Sequence, residues 1–153
     1  MERFTIVLPE KLNFTTEIRV LINDINSGNH VGHDPFVRYF NEVYRRFSDA
    51  FDIRRKMIMA GLAVLFKSEA FYGDVFKCEA AVSIHTKHRC HFYCRMSNSK
   101  TGKEIIRARA RITFFDYTPK KPVEVPEQIR SFAKISYDPV KVRPSRPAIK
   151  ARH

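Results

Sequence analysis

The sequence predicts an α+β domain in which one long central helix is wrapped by an antiparallel sheet of five to six strands. Three observations predict it: a single aromatic stripe at helical spacing, several segments that alternate every second residue, and turn residues where those segments meet. A chain of 153 residues suits one domain, and 44% hydrophobic residues with 13 Phe give it enough apolar surface to form a core without disulfides.

From Phe14 to Ile22 apolar and polar residues alternate, with Ile18, Val20 and Ile22 on one face, which predicts a first strand. Residues 23–33, dense in Asn, Gly, Asp and Ser, predict a structured loop. Asp34 and Pro35 then open a helix, because Asp caps free amides and Pro occupies the first helical position without losing a bond. Phe36, Phe40, Val43, Tyr44 and Phe47 recur on one side of that helix, which the stripe extends over about three to four turns.

Ile58 to Phe66 is a nearly continuous apolar strand, followed by a polar corner. Val75–His88, His91–Asn98 and Glu104–Tyr117 are three further strands, the last two joined by a hairpin in which Gly102 is placed for left-handed geometry. Pairing Asn98 with Gly102 sets Tyr93 against Arg107, His91 against Arg109 and Arg89 against Arg111. One face of this hairpin is then core, with Cys90, Phe92, Cys94 and Met96 opposite Ile106, Ala108, Ala110 and Ile112. The other is basic, and its opposed cations invite an anion or an acidic partner.

A formal charge of +12 bounds the partner to something anionic without separating nucleic acid, a membrane surface or a phosphorylated molecule. Part of the charge sits in residues 137–153, where five Lys or Arg face one Asp and three prolines interrupt regular structure. The expected organisation is a domain over 1–136 and a basic tail over 137–153. Three cysteines, an odd number, lie within apolar alternations, which implies a reduced, cytoplasmic setting. No apolar run reaches the roughly 18 residues of a membrane span, and neither a phosphate loop nor a nucleophilic serine motif is present. His85, His88, Cys90, His91 and Cys94 are of metal-binding type, but alternation turns Cys90 and Cys94 away from His91, so no metal is expected.

The segment NDINSGNHVGHDPFVRYFNEVYRRF resembles the 4-hydroxybenzoyl-CoA thioesterase-like branch of the hotdog superfamily. There an acidic pair spaced Asp-x-Asp ends a strand, a small-residue loop follows, and a long aromatic helix comes next. Asp24-Ile25-Asn26 occupies that spacing, and FKSEAFYGDVFKCEAAV and ARARITFFDYTPKKPVEVPEQIR are similar to the family's later strand, corner and close. The resemblance implies a hotdog fold, hydrolysis of acyl-CoA or a related thioester, no cofactor beyond the CoA of the substrate, and a homodimer or homotetramer. It also implies a departure, since Asn26 stands where family members commonly carry the catalytic carboxylate.

Thioester hydrolysis needs a polarised carbonyl and an activated water. Backbone amides at the helix start serve the first, with the helix dipole behind them. For the second, Asn26 is expected to orient water or substrate, and His30 to act as base or orienter. Glu69 resembles the acidic residue of the plant acyl-carrier-protein thioesterases and is the expected water activator. Asp34 is expected to cap the helix and is carried as a catalytic candidate, while Asp24 is read as a turn residue holding the loop. Lys87, Arg89, Arg107 and Arg109 are expected to hold the nucleotide's phosphates. Two alternatives use the same residues: a hotdog protein that binds acyl groups without hydrolysing them, and a module that binds nucleic acid through its basic face.

Overall fold

The computed structural model describes residues 3–53 and 56–136. Strand β1 (Phe14–Arg19) is followed by a 3-10 turn at Ile22–Asp24 and by helix α1 (His33–Ala50). Strands β2 (Met57–Phe66), β3 (Val75–Thr86), β4 (Arg89–Asn98) and β5 (Glu104–Asp116) follow, and then the short β6 (Lys121–Pro122) and helix α2 (Glu127–Ser136). The antiparallel sheet runs β1-β3-β4-β5-β2, with β6 on β5, so the six strands and the central helix match the expected hotdog architecture. The basic tail expected over residues 137–153 lies outside the described residues.

Helix α1 buries Phe36, Phe40, Val43 and Phe47, each no more than 3% exposed, against the inward face of the sheet. Phe92 meets both Phe40 and Phe47, with ring centroids 5.7 and 5.0 Å apart. Each fully buried ring of this kind contributes about 1.5–3 kcal/mol, so the aromatic stripe is the main reason helix and sheet stay together. Small residues on the sheet let the helix approach: Ala80, Ala108 and Ala110 are fully buried beneath it.

Four expectations require correction. The helix has 18 residues, about five turns, rather than three to four. Its N-cap is Gly32, with no side-chain cap, and Asp34 lies inside the first turn. The first strand ends at Arg19, and Leu21 and Ile22 are 58% and 63% exposed, so Ile22 is not part of the core face. Helix α2 was not expected: it buries Ile129 and Ala133 and sets Phe132 5.4 Å from Phe47, closing the end of the core that the long helix leaves open.

The β4–β5 register also differs from the expected pairing. His91 faces Arg111, Tyr93 faces Arg109, Arg95 faces Arg107 and Arg89 faces Thr113, a displacement of two residues. The cause lies in the turn. Gly102 does adopt φ 73° and donates to the Asn98 carbonyl at 2.8 Å, but the Asn98 amide closes on Lys103, and an irregularity at Met96/Ser97 absorbs one residue. A shift of two preserves the faces, because the side-chain period of a strand is two. Cys90 and Cys94 are therefore buried on the helix side while His91 lies on the other.

All strands share two ends. Phe66 of β2, Val75 of β3, Asn98 of β4 and Glu104 of β5 lie at one end, together with Arg19 of β1. The start of α1 is at this end too, since the Phe36 ring meets Phe66 and Phe76.

Candidate active site

The loop between β1 and α1 is built around a carboxylate. Asp24 is only 4% exposed, and it accepts hydrogen bonds from the Tyr39 hydroxyl, the Arg38 guanidinium at 2.6 Å and the Leu21 amide at 3.2 Å. Burial by itself would raise its pKa, but the Tyr39 and Arg38 bonds and the Leu21 amide outweigh it and hold the carboxyl below its ordinary value. Burial and the same contact push the Tyr39 hydroxyl upward, so it stays the donor. Asp24 thus anchors the loop to the second turn of α1, as its reading as a holding residue requires.

Beyond Asp24 the chain folds back on itself. Ile25 bridges Val31, and the Asn26 amide donates to the His30 carbonyl at 2.9 Å. The Asn26 side-chain oxygen accepts from the Gly28 amide at 2.9 Å and, more weakly, from the His30 amide at 3.4 Å. A Cβ at Gly28 would come within 3.0 Å of His30 Nε2, so glycine is what lets the imidazole lie across the turn. The His30 ring places Nδ1 3.1 Å from the Val31 carbonyl. That carbonyl can only accept, so Nδ1 is the donor and Nε2 is the ring nitrogen left outside this bond.

Two connections bring other elements to the same place. The Val31 amide donates to the Ala70 carbonyl at 2.8 Å, which puts Glu69, the preceding and exposed residue, beside the loop. The His33 ring packs against Phe66 with centroids 4.5 Å apart, tying the helix start to the end of β2. Gly32 lies so close to the Asp34 carboxylate that a Cβ there would be 3.3 Å from it and 4.0 Å from Asn26 Cβ. The structure therefore places Asn26, His30 and Asp34 in one loop and helix start, and Glu69 on the segment whose Ala70 carbonyl is bonded to that loop.

The amides at the helix start complete the geometry. Of the orphan donors that any helix leaves at its start, Pro35 has none, and the Gly32 amide is directed at the Asp24 carbonyl at 3.4 Å. His33 and Asp34 remain as the two amides pointing out of the helix, and no side chain caps them. Sequence reasoning missed His33 as an aromatic wall of this region. It also missed Arg38 and Tyr39 as the partners of Asp24. Their positions 14 and 15 residues downstream leave no local pattern to read.

The four basic candidates are not brought together. Lys87 pairs with Glu124 at 3.0 Å and Arg89 is exposed opposite Thr113, both at the far end of the sheet, up to roughly 35 Å along the strands from the loop. Arg107 is held by Glu104 and donates to the Ile6 carbonyl at 3.1 Å. Arg109 is exposed and, among the described residues, has no acidic partner. Within one chain they do not form a single phosphate clamp at the loop.

The family description for the thioesterase-like superfamily matches residues 20–132, which spans the loop, α1, strands β2 to β6 and the first part of α2. The chain belongs to the thioesterase-like superfamily. No curated protein sequence matches the chain. Among solved structures, the 1,4-dihydroxy-2-naphthoyl-CoA thioesterase of Synechocystis superposes with a TM-score of 0.69 at 16% identity, covering 79% of this chain and 95% of that one. A predicted thioesterase of Bacillus stearothermophilus gives 0.69 at 16% identity over 81% of this chain and 96% of that one. The 12:0-ACP thioesterase of Umbellularia californica gives 0.66 at 10% identity, over 82% of this chain and 50% of the plant chain. At such identities these likenesses establish the hotdog fold of the superfamily member described here. Among its described residues no helix is long and apolar enough to cross a membrane.

Proposed function

We propose that the protein hydrolyses an acyl thioester, with acyl-CoA as the preferred carrier, to a free acid and a thiol. The observation that supports this reading is the Val31–Ala70 hydrogen bond, which ties the loop ahead of α1 to the segment that carries Glu69. The thioester carbonyl would rest on the His33 and Asp34 amides, where the helix dipole favours the developing oxyanion; one well-placed donor is worth on the order of a hundredfold to a thousandfold in rate. Water adds to the carbonyl carbon, its proton passing to Glu69 or to His30 Nε2. Collapse of the tetrahedral species then breaks the C–S bond, and the proton returns to the thiolate. Asn26, whose side-chain oxygen is turned toward the loop amides, presents its NH₂ group as an orienting donor for water or substrate.

An apolar, half-exposed face supports an acyl substrate. The inward side chains of β2 (Met57, Met59, Leu62 and Val64) are only partly buried against the core, and Phe66 on the same strand is 43% exposed. This face begins at the His33–Phe66 contact, at the helix start, and runs along the strand.

The same strand supports a homodimer. β2 ends the sheet with ten residues whose outer edge has no partner strand among the described residues, and such an apolar edge is a ready template for pairing with another chain. A second copy added there would cover the apolar face, and in that reading Lys87, Arg89, Arg107 and Arg109 reach nucleotide phosphates only as residues contributed across subunits. Light scattering on the purified protein tests the dimer. Thiol release from a panel of acyl-CoA and acyl-carrier esters tests the activity. Turnover that falls at least tenfold in Glu69→Ala and Asn26→Ala is the expected result, and no turnover above background with any ester would refute the proposal.

A further inference from the structure

The outward face of the sheet carries a second feature, separated from the loop and α1 by the sheet itself. Across β4 and β5, His91 stands opposite Arg111 and Tyr93 opposite Arg109, and β2 continues these rows with Gly61 beside Arg111 and Ala63 beside Arg109. Gly61 has no side chain and Ala63 only a methyl, so the two arginines have no bulky neighbour on the β2 side. The result is a cavity of about 260 Å³ lined by Gly61, Leu62, Ala63, His91, Arg109 and Arg111. One water needs roughly 15 Å³ by the same measure, so the space takes a ligand of several heavy atoms.

Its charge is not balanced by the protein. The acids of the neighbouring β3 and β5 are already engaged: Glu79 with Arg95 at 3.1 Å and Lys77 at 3.8 Å, and Glu104 with Arg107. Arg109 and Arg111 have no acidic partner among the described residues. His85 adds its ring 5.0 Å from His91. Burial, and then the neighbouring His85, Arg109 and Arg111, lower the pKa of His91, as expected where cations crowd one another. Arg109 and Arg111, two residues apart on one face of β5, repel each other, and an anion between them removes the cost.

We propose that this cavity binds a phosphate-bearing ligand, with Arg109 and Arg111 presenting guanidinium forks to its oxygens and His91 forming the third wall. The planar fork matches phosphate geometry in a way that a point charge does not. Two sources share that chemistry: the phosphates of a CoA-type molecule, and a free phosphoanion such as pyrophosphate or a nucleoside diphosphate.

The test is thermal denaturation of the full chain at constant ionic strength, with pyrophosphate, ADP or CoA replacing chloride. At about a hundredfold excess over Kd the wild-type Tm is expected to rise by roughly 5 to 10 °C. The rise should disappear in Arg111→Gln and persist in Arg45→Gln, which alters an exposed pair on α1. Gly61→Glu gives a second, fold-safe variant, because a Cβ at Gly61 meets no atom within 4 Å and no left-handed φ is required there. Its carboxylate would take the ligand's place, so this variant should fold and show no anion-dependent rise.

The sources separate by arm. A response to CoA combined with a raised KM for acyl-CoA in Arg111→Gln assigns the site to the substrate, and equal responses to pyrophosphate and ADP with unchanged KM assign it to a free anion. No rise with any phosphoanion, or an equal rise in Arg111→Gln and Gly61→Glu, overturns the proposal; so does a response to oligonucleotide alone, which would mark an extended polyanion surface instead. The readout involves no turnover, so a protein without thioesterase activity leaves the inference intact.

Discussion

Replacing Asp24 by alanine removes the acceptor on which three donors converge, and the cost can be worked out from their burial. Arg38 is 61% exposed and regains water when its partner is lost, so its share is small, as for most exposed ion pairs. The Tyr39 side chain is different: the residue is 4% exposed, and its hydroxyl would be left buried and unpaired. Such a group costs about 1–3 kcal/mol. The part-buried Leu21 amide adds to it, so Asp24→Ala is expected to destabilise by about 2–4 kcal/mol in urea unfolding. Removing both partners of a buried bond costs less than the sum of the separate removals. Tyr39→Phe in the Asp24→Ala background should therefore recover about 1 kcal/mol or more. The pH dependence gives an independent check. The folded pKa lies below the unfolded carboxylate value of 3.8, so the contribution is complete above that value and is lost as pH falls through the folded pKa. The gap between wild type and Asp24→Ala should be constant at neutral pH and narrow below about pH 3.8. A variant within 0.5 kcal/mol of wild type, or strict additivity with Tyr39→Phe, would refute this account of how the loop is held.

The remaining predictions concern the core and the chemistry. Burial pushes the Cys78 and Cys90 thiols up to about 12, and raises Cys94 as well, so all three stay protonated at pH 8. A thiol reagent should find no fast-reacting cysteine in the folded protein and three after denaturation. Phe47→Ala should cost about 3–5 kcal/mol, because Phe47 joins Phe14, Phe51, Phe92 and Phe132 in one cluster. His30→Ala is expected to lower kcat by about a hundredfold, with Nε2 as the base; an unchanged kcat would leave Glu69 as the proton acceptor.

The parts of this fold that were readable from sequence are those that repeat along the chain. The Phe36 to Phe47 stripe and the alternation through Cys90–Met96 and Ile106–Ile112 each record one buried face over many residues, and both faces are where the pattern places them. The register between β4 and β5 was misplaced by two residues, because it depends on a turn closing at Lys103 rather than Gly102 and on the irregularity at Met96/Ser97. Helix α2 was missed for a related reason: it buries only about one turn's worth of surface through Ile129 and Ala133, too short a stripe to stand out. Within the candidate site, Asn26, His30 and Asp34 were proposed from their place in a motif, and the loop and the start of α1 carry all three. Arg38 and Tyr39 could not be found that way, since the bond from Tyr39 to Asp24 exists only once the helix has folded back over the loop.

Tyr44 shows where packing and function can be told apart by a single atom. Its ring is well used, lying 5.5 Å from Phe92 and stacked on Phe40, yet its hydroxyl is buried and has no partner among the described residues. Burial also raises its pKa, so the group is a neutral hydroxyl whose hydrogen bond to water has been given up. If nothing replaces that bond, Tyr44→Phe keeps the ring contacts, removes the unsatisfied group, and should stabilise the protein by about 1 kcal/mol. A ligand reaching the hydroxyl would reverse the balance once bound. Unfolding measured with and without a long-chain acyl ester therefore decides the matter. Stabilisation of Tyr44→Phe in both conditions makes the hydroxyl a packing defect. A wild type that gains more than the variant on adding the ester makes it a contact to the substrate.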